Sequence, residues 1–173
     1  KAFVHYRAVL DANELNAEAQ NNLGLLYQDK GLYEEAIREF RRATFIDAKY
    51  DKAHNNLGVA LLRSGKMDAA VSEFRWIVAQ DGRNVESLTN LALALRASGH
   101  LDEARVQLQR ALAVNNRYAN AHYNLGLVLE ETGELSRAID HYEQFLSMAE
   151  ADTAQLAIEV RGRVQVLRAK LIK

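Results

Sequence analysis

The chain has 173 residues, 49% of them hydrophobic, and 22 basic side chains against 23 acidic ones give a formal net charge of -1. This is enough apolar material for a continuous buried core, and so balanced a charge offers no field that would gather nucleic acid or an anionic membrane surface. The absence of Cys excludes disulfides, thiolate metal sites and cysteine nucleophiles, and the absence of Pro leaves glycine as the only strong punctuation in a sequence suited to helices.

The first predicted element lies in residues 1–16, where Ala2, Tyr6 and Val9 have the spacing of one helix face and match Ala36, Phe40 and Ala43, 34 residues later. It reads as the second half of a longer unit. The native chain is therefore expected to continue upstream with at least a first helix, and the apolar face of Phe3, Tyr6 and Leu10 is expected to invite pairing with another copy.

Glycine reveals the unit. Gly31, Gly65, Gly99 and Gly133 stand 34 residues apart, and Gly24, Gly58 and Gly126 come seven residues before three of them. Cut at that period, the chain gives ungapped repeats at 17–50, 51–84, 85–118 and 119–152. Apolar residues at three- and four-residue spacing, such as Leu23, Tyr27, Ala36, Phe40 and Ala43, predict two amphipathic helices joined by a tight turn. A mid-helix glycine costs about 1 kcal/mol relative to Ala, so Gly24, Gly58 and Gly126 imply that the partner helix approaches closely. The other glycines are expected in the left-handed conformation that ends a helix, with Asp68, Asp102 and Ser136 as N-caps of the next one.

In the first unit these positions are Gln20, Leu23, Gly24, Tyr27, Ala36 and Phe40; in the second, His54, Leu57, Gly58, Leu61, Ala70 and Phe74. The third has Leu88, Leu91, Ala92, Leu95, Ala104 and Leu108, and the fourth His122, Leu125, Gly126, Leu129, Ala138 and Tyr142. The pattern resembles the tetratricopeptide repeat, Trp-x-x-Leu-Gly-x-x-Tyr followed by Ala-x-x-x-Phe and Pro. That resemblance implies an all-α, right-handed superhelical solenoid of antiparallel helix pairs, and the ungapped regularity of the units looks bacterial. Two positions depart from the pattern. The closing Pro is replaced by Ala48, Gly82, Asn116 and Glu150, so the second helices must end on Gly82, on Asn115 and Asn116, and elsewhere on solvation of the last turn. The Trp is replaced by Gln, His, Leu and His, which weakens the wedge between neighbouring units.

Residues 153–173 break the period. Leu156, Val160, Val164, Leu167 and Leu171 form an apolar stripe, beside Arg161, Arg163, Arg168, Lys170 and Lys173 against Glu159. The segment is read as a capping helix that covers the last repeat, with a basic docking helix as the alternative.

No constellation for catalysis is evident. His5, His54, His100, His122 and His141 show no metal-ligand spacing, no pair of them lies one turn apart on a helix, and every glycine belongs to the repeat, to the helix end at Gly82 or to the cap at Gly162. The chain is read as non-enzymatic and without cofactor or metal. Helical repeats that read RNA need basic grooves, which this charge balance does not supply.

By resemblance to the family, the first helices form the inner wall of a groove. Its sixth-position residues are Asn22, Asn56, Asn90 and Asn124; the fifth are Asn21, Asn55, Thr89 and Tyr123; the ninth are Leu25, Val59, Leu93 and Leu127. An Asn amide offers both donors and an acceptor, so a ladder of them suits a peptide backbone, beside a stripe of four exposed aliphatics. The alternative is that Asn is simply the common residue at this place in the family, partly helping solubility. Lys52, Arg63 and Arg96 are read as a central basic spot among Glu18, Asp29, Glu86, Glu130 and Glu131, favouring a ligand with a central acidic residue. A terminal-carboxylate clamp is not supported, because Lys never occupies the fifth position. On the second helices, Phe45 and Trp76 are out of pattern and read as exposed outer-face anchors, or else as rings lying over the next repeat. The expected function is a non-catalytic scaffold or adaptor that binds a protein or peptide, without nucleic acid and without direct membrane insertion. Self-assembly into a homo-oligomer through the first helix, or through Phe45 and Trp76, is the alternative. Cytoplasmic and periplasmic locations both remain open.

Overall fold

The computed structural model describes residues 2–150 and 153–172. The repeat boundary expected at Asp152, the side chain of Ala2 and the charge of Lys173 lie outside the described residues. Among the described residues all regular structure is helical: α1 Ala2–Ala12, α2 Ala17–Asp29, α3 Tyr33–Ile46, α4 Asp51–Arg63, α5 Met67–Gln80, α6 Val85–Ala97, α7 Leu101–Val114, α8 Ala119–Glu131, α9 Leu135–Met148 and α10 Ala154–Leu171. The first helices begin 34 residues apart at Ala17, Asp51, Val85 and Ala119. The chain divides into two compact units, Lys1–Gly82 with α1 to α5 and Arg83–Lys173 with α6 to α10.

Two kinds of stop punctuate the helices. Each first helix ends on a glycine with φ between 72° and 82°, at Gly31, Gly65, Gly99 and Gly133. The Gly31 N–H donates to Gln28 O and the Leu32 N–H to Tyr27 O, closing the paired bonds that satisfy the last carbonyls of a helix; the other three turns repeat this. The second helices stop differently, one residue before Asp47, Asp81 and Asn115. Asp47 Oδ1 accepts from Lys49 N–H at 3.0 Å and Asn115 Oδ1 from Arg117 N–H at 3.0 Å, so a short polar side chain turns the backbone one position before the family pattern has Pro. Asn13 does the same after α1, accepting from Leu15 N–H. Gly82, expected to end α5, is not among the glycines with positive φ, and the helix stops earlier, at Gln80, with Asp81 as its C-cap.

The expected N-caps also need correction. The residues before α3, α5, α7 and α9 are Leu32, Lys66, His100 and Glu134, none with a side-chain capping bond, while Asp68, Asp102 and Ser136 sit inside the first turn. There the carboxylates of Asp68 and Asp102 interact favourably with the helix dipole instead. True side-chain caps occur at Asn16 and Asn84, which accept from Ala19 and Ser87 N–H.

Within each pair, a turn of three residues obliges the two helices to pack antiparallel. The repeated spacing then places a small residue of the first helix under a ring of the second. A Cβ built on Gly24 would lie 2.5 Å from Phe40, one on Gly58 2.7 Å from Phe74, and one on Gly126 2.5 Å from Tyr142. In the third repeat the pair is Ala92 and Leu108, both buried. Leu23, Leu57, Leu91 and Leu125 complete this core with Ala36, Ala70, Ala104 and Ala138, each large side chain contributing about 1.5–3 kcal/mol of burial.

At the beginning of the first unit, Phe3 meets the edge of Tyr27 with ring centroids 4.8 Å apart, so part of the apolar face of α1 is already occupied. At the end of the second unit, α10 packs on α9 through Ala157, Val160, Val164 and Leu167, whereas Leu171 is exposed and Leu156 half-buried. The stripe follows a 3.6-residue period, and a strict four-residue count drifts off it. Two of the basic residues are spent within the fold: Arg163 donates to the Tyr142 hydroxyl at 3.4 Å and pairs with Glu130 at 3.5 Å, and Arg168 pairs with Glu143. Burial pushes the Tyr142 phenol well above its usual range, and its hydroxyl donates to Glu130 Oε2 at 2.9 Å.

Candidate functional site

In the first unit, α2 and α4 lie side by side, and the Asn56 Nδ2–H donates to Asn21 Oδ1 at 2.8 Å across a separation of 35 residues. Asn21 is only 4% exposed, so the fifth-position amide serves the stacking of repeats. Asn22, Asn55 and Asn56 are half-buried, as are Leu25 and Val59 one turn further along the same helices. Lys52 is exposed at the first end of α4, and Arg63 closes its last turn.

The second unit repeats this with α6 and α8. Asn90 and Asn124 are half-buried, and Asn124 turns its Nδ2–H onto Asn120 O of its own helix at 2.8 Å. At the fifth position Thr89 bonds back to Val85 O, while the Tyr123 ring lies 5.4 Å from Phe145 and 6.3 Å from Tyr142. The expected stripe of four exposed aliphatics is corrected: Leu93 is 36% exposed, but Leu127 only 8%, so the line is interrupted in α8. The expected basic spot is corrected too, since Arg96 Nε donates to Glu131 at 2.7 Å, again 35 residues away. Its charge is matched inside the repeat stack.

On the second helices the two anchors part company. Phe45 is 89% exposed. Trp76 is half-buried, its indole stacked on the His54 ring with centroids 3.8 Å apart and planes 20° from parallel, so the expectation of an exposed Trp fails. His54 Nδ1 contacts Glu73 Oε2 at 2.7 Å and its Nε2 contacts Ala48 O at 3.3 Å. The equivalent His122 is buried, its Nε2 3.0 Å from Asn116 O and its Nδ1 2.9 Å from Nδ1 of His141. Asn116 O requires a proton on His122 Nε2, so the network assigns His122 Nδ1 as acceptor and His141 Nδ1–H as donor. Burial, then the charges of His122 and Arg137, lower the His141 pKa. A search for histidines one turn apart on one helix misses these contacts, because they join two helices across 19 residues. Among the described residues no three His, Asp or Glu side chains converge as a metal set, and no helix is long and apolar enough to cross a membrane.

A sequence profile described as a TPR repeat matches residues 27–65 and 92–133, and a second, described as a tetratricopeptide repeat, matches 119–152. Together they span more than half of the chain. It belongs to the tetratricopeptide repeat family. As such it is a protein-interaction scaffold built of stacked helix pairs. Among solved structures it is similar to MamA from Desulfovibrio magneticus RS-1, with a TM-score of 0.79 and 16% identity over 84% of this chain and 82% of that one. It is also similar to YrrB, described as a TPR protein with an unusual peptide-binding site, with a TM-score of 0.76 and 21% identity over 92% and 81% of the two chains. A thermophilic TPR protein of Thermus thermophilus gives a TM-score of 0.72 and 26% identity over 90% and 82%. These likenesses are to the tetratricopeptide fold. No curated protein sequence matches this chain.

Proposed function

We propose that the chain is a non-catalytic adaptor that holds a peptide or helix of a partner protein against the faces of its first helices. The observation that carries this reading is the shared register of those helices, set in the first unit by the bond from Asn56 to Asn21. Leu25 and Val59, and Asn22 and Asn56, hold equivalent half-buried positions of α2 and α4, which supports a surface of aliphatic groups and amides able to meet a backbone on both its N–H and its C=O. In the second unit Leu93, Asn90 and Asn124 offer a smaller version of the same surface. The aliphatics supply affinity through desolvation, and the amides orient the ligand. YrrB, described as peptide-binding, supports the ligand class.

Self-assembly is the second reading, favoured by the 89% exposure of Phe45. A pull-down from cognate extract compares the wild type with Val59→Glu, which keeps a hydrated carboxylate at a half-exposed position. Loss of specific partners from the variant, with an unchanged circular dichroism spectrum, supports the groove. An identical partner set refutes it. A concentration-dependent mass in light scattering that disappears in Phe45→Ser would assign the interaction to the outer face.

A further inference from the structure

The mid-helix glycines of α2, α4 and α8 each lie under a ring of the paired helix, but the one in α10 does not. Gly162 sits in the middle of that helix, its φ is not positive, and a Cβ built on it would meet nothing within 4 Å. It costs the helix about 1 kcal/mol relative to Ala, and no neighbour within the chain requires it. Around it stand large apolar side chains that α9 does not cover: Ile158 is 60% exposed and Ile172 86%, with Val166 exposed beside them. Ile158, Gly162, Gln165, Ala169 and Ile172 follow one another at steps of four and three residues, all exposed. That spacing lines up a second seam, about 150° around the helix from Val160, Val164 and Leu167, which are buried where α10 packs on α9. A helix that only capped the last repeat would carry polar residues there.

The second seam is complementary to itself. Laid antiparallel against a second copy, with Gln165 on the two-fold axis, it sets Ile158 against Ile172 of the second copy and Gly162 against Ala169 of the second copy, and each contact occurs twice. Ile158 then packs beside the small Ala169 of the second copy, and Ile172 beside its Gly162. With no side chain larger than a methyl at Gly162 and Ala169, the two backbones can approach closely. On one flank Glu159 falls opposite Lys170 of the second copy, an opposite-charge match between exposed positions that is also made twice. Within its own helix Glu159 has only a 3.5 Å contact from Gln155. On the other flank Arg161 approaches Arg168 of the second copy, a cation already held by Glu143 of its own chain.

We propose that α10 is a homodimerisation helix as well as a cap, and that two copies of the chain join antiparallel through Ile158, Gly162, Gln165, Ala169 and Ile172. One face of an 18-residue helix is smaller than the roughly 800 Å² per partner of a standard interface, so the dimer is weak and reversible. It leaves the first-helix faces free and presents each of them twice, which strengthens attachment to a partner that carries two copies of the ligand. The dimer does not depend on what those faces bind.

The test is sedimentation equilibrium of the full chain up to about 1 mM, the weak end of specific affinities. The mass is expected to rise from one chain toward two and no further, because a two-fold contact closes on itself. Gly162→Leu has nothing to clash with inside the chain, so it is expected to raise the thermal midpoint of the dilute protein while weakening association at least tenfold. Glu159→Lys is expected to weaken association, and adding Lys170→Glu to restore it, because the double change reverses the pair. The chain has no Cys, so Gln165→Cys is expected to cross-link two copies on mild oxidation. Ile158→Cys is expected to stay uncrosslinked, since antiparallel pairing holds the two copies of that position about 21 Å apart. A strict monomer, a mass beyond two chains, association unchanged by Gly162→Leu, no recovery in the charge reversal, or readier cross-linking through Ile158→Cys than through Gln165→Cys overturns the proposal. Loss of the dimer in Phe45→Ser would likewise overturn it and place the contact on the outer face, whereas an unchanged dimer in Val59→Glu separates this site from the groove.

Discussion

Gly58→Ala is a helix-favouring change expected to destabilise the protein. In an open helix it would gain about 1 kcal/mol. Here the new Cβ would lie 2.7 Å from Phe74 Cζ and 2.8 Å from Cε1, and the ring is fully buried with no solvent to turn into. Overpacking of this kind costs about 1–3 kcal/mol, leaving a net loss of up to about 2 kcal/mol. Phe74→Leu removes the obstructing ring atoms and, by itself, loses packing worth about 1–2 kcal/mol, part of the cost of a full truncation. In that background Gly58→Ala is expected to become stabilising by up to about 1 kcal/mol, because the pair then reproduces Ala92 over Leu108. The assay is urea unfolding of the four proteins, followed by circular dichroism and by the fluorescence of Trp76, two residues from Phe74. With slopes of about 1–3 kcal/mol per molar urea, the sign change is a midpoint shift of a few tenths of a molar or more in opposite directions. The same sign in both backgrounds, or additivity within about 0.5 kcal/mol, would refute the assignment of these glycines to close helix approach.

Gly99→Ala probes the other glycine class: φ is 81° and a Cβ would meet nothing within 4 Å, so the expected loss of about 1–2 kcal/mol is backbone strain alone and no substitution in a facing helix should rescue it. The His141 pair predicts a pH dependence: a folded-state pKa below the unfolded value means the unfolded chain binds more protons, so stability is present above the unfolded pKa of about 6.5 and falls as pH drops toward the lowered one. Thermal midpoints between pH 7 and pH 5 should fall less steeply in His141→Gln than in the wild type, and equal slopes would remove His141 from the account.

Much of the fold is local and therefore legible in the sequence. The 34-residue spacing of glycine, the small residue seven positions earlier and the apolar spacing on either side each act within one or two turns of helix, so the residues themselves announce the helix pairs. The Asx turns after the second helices are equally local, signalled by Asn13, Asp47 and Asn115 two residues before the N–H each one accepts. The family pattern hides them, because it puts the stop one position later, where Pro would stand.

The surface is less legible, since it depends on how far each helix rotates about its axis when it meets a neighbour. Leu25 and Leu127 share one repeat position, yet the first is half-exposed and the second buried. Asn21 and Asn22 are adjacent amides, but contact with α4 buries Asn21 behind Asn56, with Asn22 only half-buried. Arg96 finds Glu131, Trp76 finds His54, and Gln20 is left without a partner for its Oε1. The sequence by itself determined the repeat, its helices and the glycine stops of the first helices, because these rest on backbone conformation and spacing. Which side chains pair across 19 or 35 residues, and which stay exposed, was decided only by tertiary packing, because side-chain contacts between helices depend on rotations of a few tens of degrees that the repeat pattern leaves unspecified.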